Sequence, residues 1–206
     1  MTIIDQLDPF FKPTSVAIIG ASSNPLKLNN WITMSALQSN FKGTIYLVNP
    51  HVKEIQGVRT FPSILAIPPC IDVAAIMVPA DFVADVMRDC IKKQVKGAII
   101  FSAGYKEIGE KGKKREQELI ELAREGKMRI IGPNCMGVYS AAVNLNLTAL
   151  ATQKGQVAFV SQSGGYGLEI FAAAMQNGIT FSKFISTGDK ADVQDFEYLE
   201  YLYHDP

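Results

Sequence analysis

The sequence predicts an α/β protein with a doubly wound, parallel sheet, followed by the start of a second α/β unit. Short apolar runs alternate with helix-patterned segments along the chain, the order that builds a parallel sheet. The runs are continuous rather than alternating, as strands covered on both faces are. Each run ends in small or polar residues: Gly20-Ala21-Ser22, Asn49-Pro50, Pro79-Ala80, Ser102-Ala103-Gly104 and Gly132-Pro133-Asn134. In open α/β sheets ligands lie beyond the carboxyl ends of the strands. Five such ends on one edge read as a binding edge, although loops of this kind are rich in Gly, Pro and Ser whether or not they bind anything.

Residues 1–14 read as an entry segment whose Phe10, Phe11 and Pro13 pack against a sheet edge. Residues 15–19, SVAII, read as the first strand, followed by a Gly/Ser turn and a helix over 29–39 with Trp31, Met34 and Leu37 on one side. Strand, small-residue turn and helix in that order direct backbone amides and the positive end of the helix at an anion. The turn is not the three-glycine dinucleotide fingerprint. Gly20 is its one glycine, Ala21, Ser22 and Ser23 being small, and it reads equally well as a tight turn that binds nothing.

The second strand, 44–48, leads to Asn49-Pro50 and, past His51, to Lys53. An NAD site places an acidic residue there for the ribose hydroxyls. An amide followed by a cation favours a phosphate-bearing ligand over NAD. Residues 72–79 read as the third strand, stopped by Pro79, with Asp81 capping a helix to about Lys93. Phe82, Val83, Val86, Met87 and Cys90 keep helical spacing there. Residues 96–101 form a fourth strand, and 107–129 a charged helix with Leu119, Leu122 and Ala123 inward and a solvated outer face. Residues 128–131 form a fifth.

Residues 140–154 show no periodicity and read as a linker, dividing the chain into 1–140, a linker at 141–155, and a second unit at 156–206. That unit has strands at 156–160 and 180–186 and helices at 166–177 and 192–203. It would leave a sheet edge unpaired, so a longer natural protein or a packing partner is expected. Its turn, Ser161-Gln162-Ser163-Gly164-Gly165, repeats the anion-turn logic, with a plain Ser163 helix cap as the alternative. A nucleophile elbow needs glycine two residues before the serine, and Ser161 stands there.

Composition excludes several classes. Lys and Arg (20) balance Asp and Glu (20), which argues against a nucleic-acid partner. No run is long enough to span a bilayer, and MTIIDQLDPFF has no signal-peptide pattern. Cys70, Cys90 and Cys135 form no CxxC pair, which points to a reducing cytoplasm, no metal site, and cysteines buried as small hydrophobes. The two histidines, His51 and His204, lie outside the glycine-rich turns and read as surface residues. No catalytic residue is expected within this chain.

The motifs SVAIIGASSNP, GTIYLVNP, DVAAIMVPA, GAIIFSAGYKEIGE, MRIIGPNCMG, GQVAFVSQSGG, STGDKAD and the terminal DP, in this order and spacing, closely resemble the NDP-forming acyl-CoA synthetases, which share the plan of the succinyl-CoA synthetase alpha subunit. The resemblance spans nearly the whole chain. It implies a Rossmann-like domain that binds CoA or acyl-CoA, then the beginning of a flavodoxin-like domain. Gly20, Ser22, Ser23, Lys27, Asn49 and Lys53 would surround the CoA nucleotide end, with Ala21, Pro25 and Pro50 beside them. Pro79, Ala80, Ser102, Ala103 and Gly104 would line the path of the pantetheine and thiol, with Val78 and Asn134 adjoining. Ser163, Gly164 and Gly165 would hold phosphate. The family converts acyl-CoA, phosphate and ADP to acid, CoA and ATP through an acyl phosphate and a phosphohistidine. The resemblance thus implies that ATP/ADP and magnesium belong to an ATP-grasp domain or subunit elsewhere, and it leaves a homo-oligomer open. Asn29 departs from the family, which usually has glycine there. An acyl-CoA-sensing module of a protein acetyltransferase is the competing reading, an NAD-binding reductase domain a weaker one.

Overall fold

The computed structural model describes residues 2–150 and 153–205. Ala151 and Thr152, within the expected linker, and the terminal Pro206 lie outside them. The chain opens with helix α1 (Ile3–Phe11), started by a reciprocal cap between Thr2 and Asp5. Then come β1 (Ser15–Ile19), α2 (Leu28–Gln38), β2 (Thr44–Val48), β3 (Glu54–Ile55) and β4 (Val58–Phe61). β5 (Val73–Ile76), α3 (Ala80–Lys92), β6 (Gly97–Ile100), α4 (Glu110–Gly126) and β7 (Arg129–Ile131) complete the first layer set.

These seven strands form one sheet in the order β3-β4-β2-β1-β5-β6-β7. All neighbours are parallel except the β3–β4 hairpin. β1 lies at the centre, with Ile18 opposite Leu47 on one side and Ala75 on the other. Every residue of β1, β5 and β6 is buried, as continuous apolar runs between two helical layers must be. The reversal of strand order at β1 puts the ends of β1, β2 and β5 around one crevice.

A second sheet follows, in the order β10-β11-β8-β9. Its strands are β8 (Val138–Ser140), β9 (Leu145–Asn146), β10 (Lys154–Ser161) and β11 (Phe181–Ser186), with α5 (Gly164–Gln176) and α6 (Asp195–Tyr203). The stretch expected as a linker therefore contains β9 and the tail of β8. They pair antiparallel with each other and, through β8, with β11. Strands of two or three residues are too short for periodicity to register.

Other expectations are corrected. α2 buries Asn30, Ile32, Thr33 and Ala36, while Trp31 is 53% exposed and donates its indole N–H to the Pro25 carbonyl. The helix is turned so that its asparagines can reach the preceding loop. Pro79, not Asp81, is the N-cap of α3, and Asp81 pairs instead with Arg115. The long charged helix breaks at Gly109 (φ +87°), with a single 3₁₀ turn at Lys106–Ile108 before it. Cys70 is exposed, while Cys90 and Cys135 are buried.

The entry segment is a helix wedged between the sheets. Phe10 lies where any side chain on Gly97 would stand, 2.6 Å from a built Cβ. Phe11 packs its ring 4.9 Å from that of Tyr201 on α6, and its carbonyl accepts from Ser140 Oγ at 2.6 Å.

Candidate functional site

Gly20 leaves β1 with φ +88°, and a Cβ there would stand 2.8 Å from the Met77 carbonyl oxygen. Only glycine lets the β1 and β5 ends approach this closely. Three asparagine amides then fix the turn. Asn29 donates to the Gly20 carbonyl at 2.6 Å, Asn49 to that of Ala21 at 2.8 Å, and Asn30 to that of Ser22 at 2.8 Å. With three successive carbonyls held by side chains, the turn's amides are left over. Among the described residues, the N–H groups of Ala21, Ser22 and Ser23 bond no acceptor, nor do those of Leu28 and Asn29 in the first turn of α2. Lys27, the N-cap of α2, supplies no capping side chain. A set of unpaired amides at a helix start beside a lysine has the donors that an anion would need.

Two chambers open over this turn. The larger, about 460 Å³, is lined by Gly20, Ala21, Ser22, Lys27, Asn49 and Pro50 from the expected set. His51, Pro62, Ser63, Ile64, Phe82, Val86 and Asp89 close it. The smaller, about 440 Å³, runs toward β6 and is lined by Val78, Pro79, Ala80, Phe101, Ser102 and Ala103. Lys27, Asn29, Met77, Val78 and Pro79 border both, so the two form one elongated cleft with a neck. Ser102 Oγ donates to the Val78 carbonyl and ties the β5 and β6 ends together. A larger hollow, about 800 Å³, lies at the opposite, amino-terminal edge between α1 and α4. It has neither a glycine turn nor an uncapped helix start.

Ser23, Pro25 and Lys53, all exposed, do not line the cleft. Lys53 sits just before β3 and is bound through its carbonyl to Thr60 N. Gly104 lies past the inner end, where its N–H donates to the Glu107 carboxylate. Asn134 is held beside it, its backbone N–H on the Ser102 carbonyl at 3.0 Å. Ser163 caps α5, accepting from Tyr166 N at 3.4 Å, and with Gly164, which packs on Met136, and Gly165 it lies outside the cleft. Sequence reasoning missed Asn30 as a turn brace and Phe82 as a wall. Phe82 keeps the helical spacing of the core, yet is 59% exposed at the cleft rim. Its place one turn after a Pro cap at a strand end was the available signal.

The acidic groups near the inner end are unusual. Asp189 is raised to about 6, by burial and then by Glu107 beside it, and the Asn134 amide reaches it at 3.5 Å. Burial also works against the Glu107 carboxylate, but backbone N–H groups of Gly104 and Tyr105 hold it below its ordinary value. Burial pushes the Cys135 thiol up to about 12, far from a reactive thiolate.

Residues 14–141 match the model of a CoA binding domain. The chain belongs to the CoA-binding domain family. Beyond that domain, residues 154–206 match a succinyl-CoA ligase like flavodoxin domain. This CoA-binding family member is 44% identical over 198 residues to the alpha subunit of ADP-forming acetate–CoA ligase II from Pyrococcus furiosus, covering 96% of the chain and 43% of that protein. It is 36% identical over 198 residues to ADP-forming 4-hydroxybutyrate–CoA ligase from Nitrosopumilus maritimus, across 94% of the chain and 28% of that protein. Among solved structures it superposes on a Pyrococcus horikoshii OT3 protein with TM-score 0.94 at 46% identity, covering 97% of this chain and 46% of that one. It superposes with TM-score 0.93 at 37% identity on the dinucleotide forming acetyl-coenzyme A synthetase 1 of Ca. Korarchaeum cryptofilum, solved with phosphate and ADP, covering 97% and 43%. The chain spans less than half the length of these proteins. The fold is thus the one expected from the sequence, a mostly parallel α/β sheet followed by a second α/β unit. Among the described residues, no helix is long and apolar enough to cross a membrane.

Proposed function

We propose that the carboxyl-edge cleft binds CoA or an acyl-CoA, and that the chain is the CoA-binding part of an ADP-forming acyl-CoA ligase. The observation that carries this is the anion turn: free amides at Ala21–Ser23 and at the start of α2, with Lys27 as its N-cap, opening into two adjoining chambers of about 460 and 440 Å³. Gly20 is a cradle that a Cβ would fill, which fits close approach by a phosphate-bearing group. The nucleotide end belongs in the chamber beside Asn49, Pro50 and Phe82. The pantetheine belongs along Val78, Pro79 and Ala80, with the thiol toward Ser102 and Ala103. Lys53 and Ser23 would reach a phosphate from outside the cleft walls.

The chain's own contribution is to bind and orient the thioester. Neither histidine stands in the cleft's inner chamber: His51 lines the nucleotide end and His204 closes α6. Acyl phosphate formation, phosphoryl transfer through a histidine, and the use of ADP and magnesium would fall to parts of the ligase that this chain does not contain. The ligase alpha subunit that shares 44% of these residues is more than twice as long, which supports that division. Three cysteines without a disulfide suit a reducing cytoplasm.

Calorimetric titration with CoA, acetyl-CoA and NADH tests the reading. Heat with CoA or acetyl-CoA and none with NADH is expected. Binding of NADH alone would return the chain to the reductases.

A further inference from the structure

The two chambers meet at a neck, where Lys27, Asn29, Met77, Val78 and Pro79 border both. Asn29 is the neutral polar side chain there. Its Nδ2 is committed to the Gly20 carbonyl at 2.6 Å, which fixes the amide plane. Its Oδ1 bonds no donor among the described residues and is an oriented, uncommitted acceptor. Asn30 and Asn49 differ in one respect: Asn30 is buried and serves the turn, and Asn49 Oδ1 already accepts from His51 N at 2.7 Å. Asn29 alone of the three offers a free acceptor to the cleft.

An acceptor at a neck selects what threads it. Phosphates bring only acceptors and would be repelled by Oδ1. A chain carrying amide N–H or hydroxyl groups would donate to it. On the reading of the cleft as a CoA site, we infer that Asn29 is a specificity-determining residue that accepts a hydrogen bond from the pantetheine arm, so that the site distinguishes a CoA ester from a nucleotide lacking the arm. The donation to Gly20 and the acceptance from the arm then come from the same amide. The anion turn and the neck are thereby set in register by one side chain. A glycine at this place would provide neither contact.

The test is binding of CoA and of adenosine 3′,5′-bisphosphate, which has the nucleotide end without the arm, to the 206-residue chain and its Asn29→Ala variant. Alanine is a good helix former in the first turn of α2, and bisphosphate binding reports directly on an intact turn. Loss of the Gly20 brace should weaken both ligands alike, and loss of the hydrogen bond to the arm should weaken CoA by roughly a further five- to tenfold over the bisphosphate. Equal losses for both ligands would make Asn29 a turn brace only and overturn the inference, as would no loss for either. CoA with its arm amides N-methylated and its arm hydroxyl O-methylated provides a second measurement that needs no variant. Wild-type chain should bind it more weakly than CoA, and unchanged affinity would overturn the inference. Bisphosphate binding with CoA binding no tighter would sink this inference alone, whereas silence with both ligands would sink the CoA reading on which it rests.

Discussion

Glu107 and Asp189 meet carboxyl to carboxyl where the loop after β6 crosses the loop after β11, joining the two sheets beside the inner end of the cleft. Lys106 reaches across to the second loop, its ammonium on the Asp189 carbonyl oxygen and 3.4 Å from Glu116. Two carboxyl groups this close cannot both ionise at their ordinary values. Glu107 keeps its charge, because backbone N–H groups point at it, and Asp189 holds the proton up to about pH 6.

This pair sets a pH window for stability. Asp189 titrates near 6 in the folded chain against an ordinary 3.8. Between those values the folded state holds a proton that the unfolded chain has released, so stability falls as pH rises through the window and levels off above it. Glu107, held below its ordinary 4.5, acts only in more acid solution and with the opposite sign. Asp189→Asn keeps the shape and can donate to Glu107 at every pH. Its melting temperature is expected to exceed wild type's at pH 7 and to lose the decline between about pH 4 and 6. Thermal melts across that range check it, and a variant with the wild-type profile would remove the pair from the linkage.

How much of this was legible in the sequence depends on which forces fix each part. The parallel sheet was readable because SVAII, VAAI and GAII must be buried on both faces, and the carboxyl edge followed from the turn residues after them. Gly20, Ala21 and Ser22 at the cleft floor were readable for the same reason. What escaped depends on contacts distant in sequence. β8 is a strand because β11 lies beside it, and β9 because β8 does, not because of their own pattern. Asn30 faces inward in place of Trp31 because three carbonyls of the turn need donors. Asp189 is 82 residues from Glu107, and no local signal announces that they meet.

The cleft sorts the lysines that the sequence treated alike. Both are exposed, but Lys27 borders the two chambers, whereas Lys53 lies outside the walls. Lys27→Glu is expected to lower CoA affinity by more than tenfold, and Lys53→Glu by only about threefold, consistent with solvent screening of a charge that lies outside the cleft walls. The Lys53 effect should vanish as salt is raised to about 0.5 M, where the screening length falls to a few ångströms. Titrations at low and high salt check both, and an equal loss in the two variants would place Lys53 against the ligand after all.

Lys183 is the least expected charge in the molecule. It lies on β11 at 2% exposure, its ammonium bonded to Asp205 and 5.9 Å from the Tyr201 ring centroid. Asp205 also reaches Lys12, so the residues after α6 are held to β11 and to α1 at once. Removing one partner of a buried pair leaves the other charge without compensation, at a cost on the order of 3–5 kcal/mol, whereas replacing both by apolar groups can be neutral. Asp205→Ala is therefore expected to destabilise the chain strongly, and Lys183→Met with Asp205→Ala to recover much of the loss. CoA affinity should be unchanged in any variant that folds, because the pair is remote from the cleft walls. Urea unfolding of the single and double variants measures the coupling. A single variant as stable as wild type would show that Asp205 is not what balances Lys183.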